Sequence, residues 1–223
     1  MKNKVVLITG SSNGIGRETA FKFAAEKAKV VLTYYHDKAG GQEADKRCRE
    51  LGASETLLVR LDLMDNKSIL NAVDKVVKTF GKIDVLINNA GVSVWKPLKK
   101  QSLADIENQI RTNLEGLIKM TGTCLPYVKD MIINIASGAG QTGFADMAPY
   151  CATKFGVRGF TQALAQEIAG PKIFAVNPDM TKTRMTDFQG WPPEQVAGVV
   201  LNTAKGKYRK TSGSDIDVWD FYK

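Results

Sequence analysis

The 223-residue chain is 43% apolar and 24% charged, the composition of a globular protein with one sizeable core, which excludes disordered and fibrous classes. Its formal charge of +8 suits a phosphate-bearing ligand or an acidic carrier, but no arginine-rich or aromatic-interleaved stripe points to nucleic acid, and the excess reads chiefly as solvated lysine. Three scattered cysteines without a C-x-x-C and a single histidine, His36, argue against a disulfide framework, a histidine-rich metal site, and any Ser-His-Asp hydrolase not built on His36 itself.

In chain order, the first apolar run is a predicted strand, Lys4–Thr9. It is too short for a signal peptide, and no run of eighteen apolar residues follows anywhere, so the expectation is a soluble, cytoplasmic protein that engages no membrane. A glycine loop leads into a helix marked by Ala20, Phe23 and Ala24. Strands are predicted at Lys29–Tyr35, Thr56–Arg60 and Asp84–Asn88. Between the last two, Ile69, Val73, Val76, Val77 and Phe80 recur at helical spacing, with Asn66 and Ser68 before them and Gly81 after. Further strands are predicted at Met131–Ala136, Lys172–Asn177 and Asp215–Trp219, and Pro192-Pro193 opens a last helix carrying Val196, Val199 and Val200. Near-continuous apolar strands alternating with amphipathic helices imply a parallel sheet covered on both faces. With right-handed crossovers this is a doubly wound, Rossmann-like α/β fold of about seven strands. Without a linker or a repeat, residues 1–223 form one domain.

Two local patterns carry chemistry. Thr9-Gly10-Ser11-Ser12-Asn13-Gly14-Ile15-Gly16 joins the first strand to the first helix. Glycines there let the backbone turn tightly and approach a pyrophosphate, while the helix start offers free N–H groups. The spacing is G-x-x-x-G-x-G rather than G-x-G-x-x-G. Tyr150 and Lys154 are four residues apart, hence on one helix face. An ammonium beside a phenol favours the phenolate and creates an acid–base group usable near neutral pH. Each pattern alone also occurs by chance.

Together, and in this order, the motifs resemble those of the short-chain dehydrogenase/reductase family over nearly the whole chain. The glycine motif matches the family's T-G-x-x-x-G-I-G. Asp62, with Leu63, follows the third strand where the family holds adenine. Asn88-Asn89-Ala90-Gly91 matches N-N-A-G after the fourth strand. Asn113, and Ser137 thirteen residues before Tyr150, match the catalytic asparagine and serine. Pro178 and Thr183 fit P-G-x-x-x-T. The resemblance implies catalysis by Asn113, Ser137, Tyr150 and Lys154. It implies cofactor binding by Gly10, Ser12, Asn13, Gly14, Ile15, Gly16, Tyr34, Asp62, Leu63, Asn89, Ala90, Gly91, Tyr150, Lys154, Pro178 and Thr183. In that mechanism Tyr150 protonates the carbonyl oxygen and Ser137 orients it. Lys154 lowers the Tyr150 pKa and holds the ribose, and Asn113 holds a relay water.

Departures from the pattern shape finer expectations. Asp179 replaces the glycine after Pro178, which puts the turn beside the nicotinamide in question. The segment from Arg184 to Trp191 is a trimmed lid, predicting an open, shallow pocket with Met185, Phe188 and Trp191 as candidate walls. Counting eighteen residues past Gly16 reaches Tyr34, where NAD-preferring relatives place an acid. Its absence favours NADP over NAD, with His36 or Lys38 as phosphate contacts, although the expected arginine is missing and Asp37 reverses the preference if the strand ends later. Cys151 reads as a small packing residue. The expected substrate is a small carbonyl or alcohol compound, with a 3-oxoacyl thioester first and a sugar, polyol or small ketone second. The cluster Lys96, Lys99 and Lys100 faces either an acidic carrier or solvent. A non-catalytic dinucleotide sensor is the reading from another class. Relatives imply a homodimer or homotetramer, in which the tail Val218–Tyr222 packs at an interface or within the subunit.

Overall fold

The computed structural model describes residues 1–222. Among these, seven strands form one sheet in the order β3-β2-β1-β4-β5-β6-β7. The strands are β1 (Val5–Ile8), β2 (Lys29–Tyr34), β3 (Glu55–Arg60), β4 (Ile83–Asn88), β5 (Val128–Ile135), β6 (Lys172–Asn177) and β7 (Asp215–Asp217). Every neighbouring pair is parallel. The order reverses between β1 and β4, and it is outside the strand ends at such a reversal that open α/β sheets bind ligands.

Strand alternation builds a core on each face. Val6, Ile8, Val30 and Leu32 point to one side, where α1 (Gly14–Ala25), α2 (Lys38–Glu50) and α7 (Pro193–Ala204) supply Phe23, Cys48, Val196 and Val200. Val5, Leu7 and Val31 point to the other, against α3 (Asn66–Phe80), α5 (Leu117–Cys124) and α6 (Ala148–Glu167). Full burial of each such aliphatic side chain contributes about 2 kcal/mol. The Asp65 carboxylate caps α3 by accepting the Lys67 N–H, and Gly81 closes it in the left-handed region at φ 73°. Pro193 is the first residue of α7, where its missing N–H leaves no bond unmade.

Two elements end differently from the sequence reading. The last strand stops at Asp217, and Val218–Asp220 turns into a short 3-10 helix. Phe221 then stacks on Tyr208 at 4.2 Å, and the Tyr222 hydroxyl lies over Gly198, so the apolar tail packs within the subunit. Between α4 (Leu103–Ile110) and α5, the six residues Arg111–Gly116 form a π-helical turn, a local widening that periodicity does not reveal. No helix among the described residues is long and apolar enough to cross a membrane.

Candidate active site

A cleft of about 480 Å³ opens at the carboxyl ends of the strands, across the reversal in strand order. One end is lined by the glycine loop and by Tyr35, His36 and Asp37, which follow β2. The other reaches Ser137, Tyr150 and Lys154.

The glycine loop is clamped from behind by the segment after β4. Gly10 and Gly14 adopt φ 65° and 56°, and a Cβ on Gly10 would sit 2.8 Å from the Ala90 Cα. The Asn89 amide donates to the carbonyls of Thr9 and Gly10 at 2.9 and 3.0 Å, while the Thr9 hydroxyl accepts the N–H groups of Asn89 and Ala90. Gly16 lies behind the cleft, where a side chain would collide with the Asn89 amide and the Gly10 carbonyl. Its contribution is the close approach of helix and strand. Asn13 precedes α1 without capping it, and the first turn carries no acid. The leading N–H groups of α1 therefore face an open, glycine-floored cradle, the arrangement an anionic pyrophosphate requires. A dinucleotide fits these residues.

At the opposite end, Tyr150 and Lys154 occupy the first turns of α6, and both are buried. Ser137 follows β5, and its hydroxyl accepts the Ala139 N–H at 3.1 Å close to the Tyr150 phenol. Burial pushes the phenol up to about 12, against a lowering contribution from Ser137. Burial also pushes Lys154 down to about 8. Its Nζ donates to the Ile135 carbonyl at 2.8 Å and lies 5.5 Å from the Tyr150 ring centre. The sequence reading expects Lys154 to lower the Tyr150 pKa. Burial dominates both groups, and it favours the neutral, protonated phenol of Tyr150.

A profile of the short chain dehydrogenase family matches residues 4–191. The chain belongs to the short-chain dehydrogenase family. Meso-2,3-butanediol dehydrogenase of Serratia marcescens is 36% identical, over 97% of this chain and 93% of that protein. A 3-oxoacyl-[acyl-carrier-protein] reductase of Thermotoga maritima is 31% identical, over 98% and 97%. A short chain dehydrogenase from Burkholderia cenocepacia, solved in complex with NADP, superposes with a TM-score of 0.90 at 27% identity, covering 97% of this chain and 96% of that one.

Within this short-chain dehydrogenase, several residues named from the sequence do not line the cleft. Tyr34, the last residue of β2, packs its side chain against Gly41 of α2, because alternation along the strand turns it away from Thr33, whose hydroxyl meets the Gly10 N–H. Tyr35, His36 and Asp37 line the cleft in its place. Leu63 is buried against Gly116, and Asp62 accepts the Met64 N–H at 2.9 Å, where its carboxylate raises the pKa of the Tyr35 phenol. The Asn113 amide is committed to both backbone groups of Val92, at 2.8 Å each, and to the Thr153 hydroxyl. It brackets the cleft wall to α6. Asp179 is not among the positive-φ residues described, so its backbone needs no glycine. Its carboxylate accepts the Met180 N–H at 2.7 Å.

The trimmed lid is folded on itself. Trp191 pairs with Thr181, and the Thr186 hydroxyl donates to the Thr181 carbonyl at 2.6 Å. Met185 lines the cleft, whereas Phe188 and Trp191 do not. The wall instead includes Trp95, Phe144, Met147 and Met180, which no periodic pattern announced. A second group was also missed. Arg158, one turn beyond Lys154, makes a paired contact with Asp215 at 2.9 and 2.6 Å and donates to the Gly140 carbonyl. Asp217 accepts from Gln141 and Asn177. These bonds tie the loop that starts at Ser137 to α6 and β7. Cys151 packs against Ala139 and Tyr150 and accepts the Phe144 N–H at 3.4 Å, as a packing residue would.

Proposed function

We propose that the chain is an NAD(P)-dependent oxidoreductase acting on a carbonyl or alcohol carbon. One observation carries this reading: Ser137, Tyr150 and Lys154 line one end of a cleft whose other end is a glycine-floored anion cradle. A bound nicotinamide supplies or accepts the hydride. The protein's part is proton transfer and orientation. In reduction the Tyr150 phenol donates its proton to the substrate oxygen, and in oxidation it takes that proton back. The Ser137 hydroxyl orients the same oxygen. Lys154 holds the nicotinamide ribose and favours the phenolate as it forms. With the Asn113 amide occupied, its backbone carbonyl, within the π-helical turn, is the group that accepts a relay water.

The walls formed by Trp95, Phe144, Met147, Met180 and Met185 favour an apolar ketone or an acyl thioester over a sugar or polyol. A 3-oxoacyl thioester remains the leading candidate, with Lys96, Lys99 and Lys100 exposed at the rim for an acidic carrier. NADP is the proposed cofactor, because the one carboxylate that lines the cleft after β2, that of Asp37, is already paired with Arg184. Exposed Leu103, Ile118 and Phe155 on α4, α5 and α6 support a homo-oligomer. The test is a panel of acyl thioesters, ketones, sugars and polyols, followed by nicotinamide absorbance with NADPH and with NADH. Turnover of apolar carbonyls that disappears in Tyr150→Phe is the expected result. A chain that binds dinucleotide but turns over nothing is a sensor, which overturns the enzymatic reading.

A further inference from the structure

We infer that Arg184, on the short lid, is the residue that discriminates between the two dinucleotides: its guanidinium takes the adenosine 2′-phosphate, and its pairing with Asp37 holds it beside the cleft. The inference rests on the dinucleotide reading above and adds to it the residue that recognises the phosphate.

In a doubly wound fold the adenosine ribose lies beside the end of the second strand. The cleft there is lined by Asn13, Tyr35, His36 and Asp37. None is a fixed cation. The nearest formal charge on the wall is the Asp37 carboxylate, held below the usual carboxylate range by the Gly40 N–H, by Arg184 and by the Asn13 amide. Left alone, that carboxylate would repel a second anion.

It is not left alone. Arg184 Nη1 lies 3.2 Å from Asp37 Oδ2, although the two residues are 147 positions apart. The contact runs from a residue that lines the cleft to one just outside it: Asp37 follows β2, and Arg184 follows Thr183, which lines the cleft and whose side chain sits directly over Gly14 of the glycine loop. The partners are not equally free. The other Asp37 oxygen accepts the Gly40 N–H at 2.9 Å and caps α2, which fixes the carboxylate. The Arg184 side chain is 69% exposed and swings from a backbone held by the Thr183–Thr186 cap.

A guanidinium with five donors can bridge a carboxylate and a phosphate, and a phosphate monoester carries more charge than the carboxylate it meets first. With NADPH, the guanidinium turns toward the 2′-phosphate and screens it from Asp37. With NADH, there is no phosphate to draw it, and it remains on Asp37. Two other cations compete: the Arg60 guanidinium lies over the Tyr35 ring, 5.5 Å from its centre, and Lys38 follows Asp37 without lining the cleft.

The test is equilibrium titration of the intact chain with four probes: NADPH, NADH, adenosine 2′,5′-bisphosphate and AMP. The two fragments reach only the adenosine end, so changes near Tyr150 do not register. Arg184→Gln is expected to weaken NADPH and the bisphosphate by about tenfold and to leave NADH and AMP within about twofold. Arg184→Lys is expected to recover part of the loss, and Asp37→Asn to tighten NADPH. Retained NADH binding shows that each variant is folded. The inference is overturned if Arg184→Gln changes both dinucleotides equally or neither, or if Arg60→Gln or Lys38→Gln carries the loss instead. A wild-type chain that binds neither dinucleotide overturns the oxidoreductase reading as well, so the two failures are distinguishable.

Discussion

Replacing Lys154 with methionine separates what the lysine does for the reaction from what it does to the fold. Burial lowers this lysine from the ordinary 10.5 to about 8. That difference corresponds to about 3 kcal/mol of preference for the neutral form. Below about pH 8 the folded and unfolded chains both hold the proton, and the whole penalty stands. Between the two values the unfolded chain binds more protons than the folded one, so stability rises with pH. Above 10.5 both are neutral and the penalty is gone. Lys154→Met lacks this dependence. Its stability relative to the natural chain is therefore expected to fall by about 2 kcal/mol between about pH 7 and about pH 9.5. The lost hydrogen bond from Nζ to the Ile135 carbonyl shifts the comparison at both ends and largely cancels. Cys48 and Cys124, both pushed up to about 12 by burial, titrate alike in the two chains and cancel too. Urea unfolding at the two pH values, with midpoint and slope fitted separately, measures the difference. A gap between variant and natural chain that stays flat across this range refutes the argument that burial controls Lys154.

Three further outcomes are expected. Tyr150→Phe removes the proton donor and leaves the glycine loop untouched, so turnover should fall by about 10² to 10⁴ while the NADPH dissociation constant, measured by fluorescence, holds. Arg158→Met breaks the half-buried pair with Asp215 and frees the Gly140 carbonyl; denaturant unfolding should show a loss of about 2 kcal/mol, and kcat should drop with Ser137 less firmly held. Gly190 has φ 105° and its missing side chain would strike the Met180 carbonyl, so Gly190→Ala should loosen the lid by about 2 kcal/mol, read as faster proteolytic cleavage between Thr181 and Trp191 and a raised substrate KM.

The strands were legible because both faces of the sheet are covered. Val5–Ile8 and Ile83–Asn88 contain little but apolar residues, and the structure buries every one of their positions. The glycine loop was legible for a related reason: Gly10, Gly14 and Gly16 are each required by close contact or backbone conformation. Tyr34 was misplaced because an offset counted along the chain cannot say which way a side chain points. A one-residue step in a strand exchanges the two faces, and Tyr35 rather than Tyr34 lines the cleft. The contacts of Arg158 with Asp215, and of Arg184 with Asp37, span 57 and 147 positions. No local pattern signals such pairs, since each partner alone looks like one more surface charge. The balance of burial at Tyr150 and Lys154 was hidden for the same kind of reason. Spacing places a lysine on the right helix face, but only the packed structure reveals how far both groups are desolvated.

The two ends of the cleft are built by different physics, and this sorts the consequences of changing them. The end that holds Tyr150 and Lys154 is buried and fixed largely by backbone: Lys154 on the Ile135 carbonyl, Asn113 on Val92, Arg158 on Gly140. Any change there alters desolvation or leaves a buried group unpaired, so stability and chemistry move together. The adenosine end is lined by side chains on loops, and its cross-cleft contact is an exposed ion pair that salt screens. Changes there should alter which dinucleotide binds while leaving unfolding midpoints nearly still. Raising the ionic strength from about 0.05 M to about 0.5 M should accordingly narrow the gap between NADPH and NADH affinity, and leave the pH dependence contributed by Lys154 in place.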